Sequence, residues 1–126
     1  LDIEEGIIYS TIKLNEDDHV IKAHLIPSTT KEIVSISGTG LCKRTDVKEF
    51  STQSKNTKGS KIQKLTDGDW IADFIPISEE SELLIAATNS CIKISIQDVP
   101  ILSRGTQGNK TIKLALTENV VGLSVF

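Results

Sequence analysis

A repeat of about 50 residues, built from short strand-like runs, limits what this chain can fold into more than any other feature. Glu82-Leu-Leu-Ile-Ala-Ala-Thr-Asn-Ser-Cys-Ile-Lys93 aligns beneath Glu32-Ile-Val-Ser-Ile-Ser-Gly-Thr-Gly-Leu-Cys-Lys43 at a shift of about 50. Further on, Gln107-Gly108-Asn109-Lys110 falls beneath Lys58-Gly59-Ser60-Lys61, and Ile112-Lys113-Leu114 beneath Gln63-Lys64-Leu65. An earlier copy survives in its second half. There Ile12-Lys13-Leu14 precedes Asp18 as Gln63-Lys64-Leu65 precedes Asp69, and Leu25-Ile26-Pro27 echoes Phe74-Ile75-Pro76. One such unit cannot bury its own apolar face, so neighbouring units must stack. The expectation is an all-β array of small antiparallel blades, with a partial blade over 1–30, one blade over 31–80 and another over 81–126. Two similar four-stranded blades that exchange strands would satisfy that spacing.

Local patterns supply the strands. Residues 7–14 alternate Ile8, Ser10, Ile12 and Leu14 against Tyr9, Thr11 and Lys13, the period of a half-buried strand. Asn15-Glu16-Asp17-Asp18 turns the chain, 20–26 reads as the returning strand, and Pro27 ends its ladder. Residues 31–37 and 41–45 form a hairpin about Ser37-Gly38-Thr39-Gly40, where glycine suits the backbone angles of a tight turn. No helix pattern follows those glycines, so a phosphate-cradling loop is not indicated. Residues 46–50 make a short turn, 51–60 an exposed polar loop, and 61–65 begin the next strand, which returns over 70–77. A second hairpin joins 82–87 to 90–95 through Thr88-Asn89, and 110–116 and 120–126 complete the strands.

Charge is segregated along the chain. Residues 43–65 hold Lys43, Arg44, Lys48, Lys55, Lys58, Lys61 and Lys64 against only Asp46 and Glu49, in a chain whose net charge is −3. Residues 66–100 are the reverse, with seven carboxylates against Lys93. A cationic island in an acidic chain points to an anionic polymer as partner, with a merely solvated face as the bland alternative. Catalytic readings are weaker. Tyr9 sits in a strand pattern without a neighbouring arginine, and Asp67 and Asp69 flank Gly68 in a turn without a nearby histidine. Cys42 and Cys91 occupy nearly matching places in adjacent repeats and read as buried strand thiols rather than a disulfide; no Cys/His spacing suggests zinc. His19 and His24 have no ligand partners in the sequence. No apolar run reaches the roughly 18 residues of a membrane span, so no membrane partner is expected.

The segment Thr39-Gly40-Leu-Cys-Lys43-Arg44-Thr45-Asp-Val-Lys-Glu49-Phe50 resembles the repeat of the C-terminal β-pinwheel domain found in the A subunits of type IIA topoisomerases, DNA gyrase and topoisomerase IV. The second copy, from Asp98-Val99-Pro100 through Ser103-Arg104-Gly105-Thr106-Gln107-Gly108 to Ile112-Lys113-Leu114, resembles the other half of that repeat. The likeness runs through the whole chain and covers about two and a half blades, where the family domain commonly has five or six. It implies a cytoplasmic, nucleoid-associated, non-catalytic module that binds and bends duplex DNA, with the nucleophilic tyrosine outside this chain. The protein partners it implies are the rest of the A subunit, together with its B subunit. No cofactor is implied in this chain, ATP and magnesium belonging to other parts of the enzyme. The phosphate contacts it implies are Lys43, Arg44, Lys55, Lys58, Lys61 and Lys64, then Lys93, Arg104, Lys110 and Lys113, with backbone amides around Gly59 and Gly108. The gyrase wrapping loop Gln-Arg-Arg-Gly-Gly-Lys-Gly survives only as Gln53-Ser54-Lys55-Asn56-Thr57-Lys58-Gly59, closer to topoisomerase IV, and lysine lacks the planar fork of arginine. The chain begins at Leu1, as the last part of a longer subunit would. The rival expectation is a propeller-like protein-interaction module without DNA binding. A truncated array also leaves open strand edges, which favour self-association.

Overall fold

The computed structural model describes residues 5–6, 12–53, 57–79 and 81–125. Tyr9, Lys55, Glu80, Phe126 and most of the strand expected over 7–14 lie outside the described residues. Strands β1 (Glu32–Ser37) and β2 (Leu41–Asp46) form the first hairpin. A 3-10 turn at Val47–Glu49 follows, its amide at Lys48 capped by the Asp46 carboxylate. Strand β3 (Ile71–Ile77) returns along the other side of β1. The pattern then repeats with β4 (Glu82–Ala87), β5 (Cys91–Ser95) and a 3-10 turn at Ile96–Asp98 capped by Ser95. Strands β6 (Asn109–Lys110) and β7 (Val120–Val125) finish the chain.

Two antiparallel sheets result. One has the order β3-β1-β2-β6 and the other β5-β4-β7. Strand β6 belongs by sequence to the second repeat yet completes the first sheet, pairing Lys110 with Leu41 and Asn109 with Cys42. The second sheet has three strands among the described residues, not the four expected of a matching blade. Both centres are apolar. Val34 and Ile36 of β1 and Leu83 and Ile85 of β4 are completely buried, with Ile75, Ile77, Ile96, Val99 and Val120 packed into the same cluster. Burying each such side chain stabilises the fold by about 1.5–3 kcal/mol. The sheets are stitched together at Asp73 on β3, whose Oδ2 accepts the Leu123 amide of β7 at 2.8 Å while Oδ1 accepts Lys22 Nζ at 2.6 Å.

Several expected strands do not form. Residues 20–26 make no ladder despite their alternation, and Val20, Ile21, Leu25 and Ile26 stay exposed. Residues 61–65 are irregular, and the strand expected over 110–116 shrinks to Asn109–Lys110. Around 61–65 and 111–116 the backbone bonds go to a crossing segment at single points rather than to a continuous edge, as in Lys64 N to Thr106 O at 3.0 Å. The repeat shift also changes inside the hairpin. Ile36 pairs with Cys42 but its counterpart Ala86 pairs with Cys91, so the second turn is one residue shorter. From that point the true shift is 49, and Lys93 corresponds to Arg44 rather than to Lys43. The ion pairs agree, since Arg44 bonds Glu32 at 3.0 Å and Lys93 bonds Glu82 at 3.0 Å. Both thiols are free, Cys42 buried and, against expectation, Cys91 exposed.

Candidate nucleic-acid interface

The second repeat reaches back across the first sheet, and that crossing decides which basic residues face water. The Arg44 amide donates to Pro100 O at 2.8 Å and the Leu102 amide donates to Arg44 O at 2.9 Å. The chain then passes over Lys43 before β6 pairs with β2, and the Thr111 amide closes the run on Gly40 O at 3.1 Å. Gln63 clamps the segment from the far side, its amide nitrogen donating to Leu41 O and Gln107 O. Gly108 lies so close to β2 that a Cβ there would stand 2.6 Å from the Cys42 carbonyl oxygen, and its φ of +89° is in the left-handed region. The glycine is needed on both counts.

Lys43 is therefore a stitch and not a surface cation. It is 0 % exposed, and its ammonium donates to Ser103 O at 2.8 Å, Arg104 O at 2.7 Å and, more distantly, Thr106 Oγ1. Burial pushes its pKa down; nearby Glu49 opposes that shift and Arg104 adds to it. An ammonium with no exposed surface cannot meet a phosphate, which corrects the reading of Lys43 as a contact residue. Arg44 is similarly engaged, its Nε on Val99 O at 2.7 Å and its Nη1 on Glu32. Arg104 is half-buried, with its amide on Glu49 Oε1. Lys93 is exposed but paired with Glu82.

The remaining cations form a different and more regular set. Lys58, Lys61, Lys64, Lys110 and Lys113 are exposed, and among the described residues none has an ion-pair partner. The Lys13 amide donates to Thr57 O at 2.9 Å just as the Lys64 amide donates to Thr106 O, so Lys13 and Lys64 hold the same position in successive repeats. Lys113 is the third member by sequence, and Lys61 and Lys110 form a second matched pair. Lys13 was missed at the sequence level although its tripeptide Ile12-Lys13-Leu14 marked the repeat; the signal was there but was used only for register. Gly59 is exposed with φ +78°, its backbone free to face solvent.

Lys13, Lys64 and Lys113 are each followed by a turn ending in a carboxylate; Asp18 is exposed and accepts the Asn15 amide of its own turn, whereas Asp69 and Glu118 reach across to a hairpin turn. Asp69 accepts from Thr39 Oγ1 at 2.6 Å and from the Thr39 and Trp70 amides. Partial burial works to raise its pKa, but hydrogen bonds from Thr39, Ser37 and the Trp70 amide prevail and hold it below the usual value. Glu118 does the same in the next repeat, its pKa lowered by the Ala115 amide and the Ser90 hydroxyl. Turn chemistry thus accounts for Asp69, and no group of three or more His, Cys, Asp or Glu able to hold a metal occurs among the described residues.

Small antiparallel sheets in series, the first completed by a strand from the second repeat, with lysines at matched positions, define the propeller-bladed class of β domains. The chain belongs to the family described as DNA gyrase C-terminal domain, beta-propeller, whose pattern matches residues 6–27, 31–78 and 83–126. It corresponds to the non-catalytic C-terminal domain of that family. Among solved structures, the C-terminal domain of DNA topoisomerase IV superposes with a TM-score of 0.80 at 19 % identity, over 91 % of this chain and 36 % of that one. A DNA gyrase A C-terminal domain gives 0.71 at 21 % identity, over 79 % and 34 %. The E. coli ParC C-terminal domain gives 0.65 at 19 % identity, over 80 % and 43 %. The chain thus spans about a third to two-fifths of these relatives. No curated protein matches it.

Proposed function

We propose that this chain is a DNA-binding and DNA-bending module from the A subunit of a type IIA topoisomerase, which meets duplex phosphates through the lysines of one rim. The observation that carries the reading is the recurrence of Lys13, Lys64 and Lys113, and of Lys61 and Lys110, at matched positions of a fold in the gyrase C-terminal family. A row of unpaired ammonium groups at blade spacing suits a phosphate backbone and carries no sequence information, so weak sequence preference follows. Lys58, and Lys55 by its place in the same loop, extend the row, with the Gly59 amide beside them. Arg104, Lys93 and Gly108 are peripheral in this reading. The protein partners are the rest of the A subunit, together with the B subunit. The bacterial nucleoid is the setting.

The test is a salt titration on random-sequence duplexes, begun at low ionic strength because the chain carries a net charge of −3. Replacing Lys61, Lys64, Lys110 and Lys113 together by glutamine removes four contacts. At about 0.9 per phosphate, the slope of log affinity against log salt should shrink by about 3 to 4. Replacing Glu79 and Glu82 by glutamine should leave the slope nearly unchanged. No binding at low salt, or a slope indifferent to the lysines, would turn the reading to a protein-interaction module, which the exposed Val20, Ile21 and Leu25 would then serve.

A further inference from the structure

The lysines matched across the repeats follow Ile12, Gln63 and Ile112, and of these three only Gln63 can donate a hydrogen bond from its side chain. It is 5 % exposed, although Lys61 and Lys64 beside it are exposed. Its Nε2 uses both protons, on Leu41 O at 2.8 Å and on Gln107 O at 2.6 Å. Its Oε1 is buried and has no hydrogen-bond partner among the described residues. A buried amide oxygen left unpaired is unfavourable, so this residue is held for its nitrogen.

The two carbonyls it reaches belong to the other lysine pair. Leu41 is the strand partner of Lys110, and Gln107 lies three residues before it. The Lys64 amide adds a bond to Thr106 O at 3.0 Å, one residue from Gln107. One nitrogen therefore joins the segment that carries Lys61 and Lys64 to the segment that carries Lys110 and Lys113. Both segments are otherwise short of ladder bonds, since residues 61–65 form no strand and β6 is two residues long. The isoleucine of the neighbouring repeats would fill this place without fixing either segment, because apolar contact has no direction.

We infer that Gln63 is a positioning residue for DNA. It sets the separation between Lys61 with Lys64 and Lys110 with Lys113, so that ammonium groups from two repeats meet the duplex as one preformed unit. This rests on the DNA-binding reading above. Gln63 itself touches no phosphate. It contributes preorganisation, since lysines already held at their bound separation lose less freedom on binding. The two effects are separable in a salt titration. The slope of log affinity against log salt counts the phosphates neutralised, whereas an ordering cost lowers affinity equally at every salt concentration.

The variant Gln63→Met keeps the side-chain length and removes the donor. On random-sequence duplexes its affinity should fall about tenfold at every salt concentration, the scale of ordering one or two side chains on binding, with the slope unchanged. Val34→Ala controls for lowered stability: it opens the core but leaves both carbonyls and the rim lysines in place, and while folded it should bind as the unmodified chain does. A second measurement needs no DNA. Spin labels attached through Lys61→Cys and Lys110→Cys, with Cys91→Ser to remove the exposed thiol, should report one narrow distance that Gln63→Met broadens. If the unmodified chain binds and Gln63→Met binds equally tightly, the inference is overturned and the DNA reading stands. The same holds if the variant's slope drops by about 0.9 or more, which is a lost phosphate contact, if Val34→Ala loses as much affinity, or if the label distance is unchanged. An unmodified chain that fails to bind at low salt would defeat both readings together.

Discussion

Lys43 and Lys64 show how little a residue's type says about its task. Both are lysines of one basic stretch, yet one is sealed beneath the Ser103 and Arg104 carbonyls and the other faces water. The difference is measurable. Lys43→Gln takes the buried ammonium from the Ser103 and Arg104 carbonyls, of which Ser103 O keeps Thr106 as a donor, and a lost buried partner costs about 1–3 kcal/mol. The expected outcome is a lower urea midpoint for Lys43→Gln with the salt slope of DNA binding unchanged while the protein is folded. Lys64→Gln should do the opposite, keeping the midpoint and lowering the slope by about 0.9. A fall in slope for Lys43→Gln without loss of stability would return that residue to the surface.

Among the elements, β6 is the smallest and joins the two repeats. Two residues long, it is held by the Gly108 approach, the Gln63 clamp and the Thr111 amide. Gly108→Ala would drive a methyl into the Cys42 carbonyl and require a left-handed backbone of a residue that resists it. A strained position of that kind costs about 1–3 kcal/mol. The expected result is faster hydrogen exchange at Cys42 and Thr111 amides than in the unmodified chain, with the β4-β5 hairpin much less affected. Gly59→Ala meets the same φ penalty but no backbone contact among the described residues, so its effect on stability should be smaller. The hairpins themselves were legible beforehand. Their turns carry Gly38 and Gly40 or Thr88-Asn89, and their strands are runs of β-branched and aliphatic residues, all of it local information. The one-residue shortening of the second turn was not legible, because an alignment by letters put Lys93 under Lys43 and only strand pairing puts it under Arg44.

At the scale of the molecule, the same carboxylate tie recurs in both repeats, Asp69 to Thr39 and Glu118 to Asn89 and Ser90. Both groups have folded pKa values below their ordinary 3.8 and 4.5. Their stabilisation is present above those values and is lost as pH falls through the lower folded ones. The thermal midpoint should therefore drop as pH is taken below about 4.5, and the double variant Asp69→Asn, Glu118→Gln should start lower at neutral pH and fall less across the acid window. An acid dependence identical in the two proteins would remove these ties from the account.

The sequence by itself determined the all-β class, the stacked repeat of about 50 residues, both hairpins with the short turn after the first, and the family, because strand alternation, turn residues and repeat spacing are local and survive without coordinates. Only the tertiary structure decided which strands exist and which cations are free. Residues 20–26 and 61–65 have strand-like letters, but a strand needs a continuous partner edge; 20–26 joins no ladder and 61–65 has an isolated bond instead. Lys43 meets its acceptors about sixty residues further along the chain, a separation no local pattern encodes. Lys13, Lys64 and Lys113 were matched by their tripeptides alone, but that all three are exposed, with the first two held by the same amide bonds at Thr57 and Thr106, came from the structure. Burial and register are properties of the packed neighbours, and those neighbours come from the next repeat.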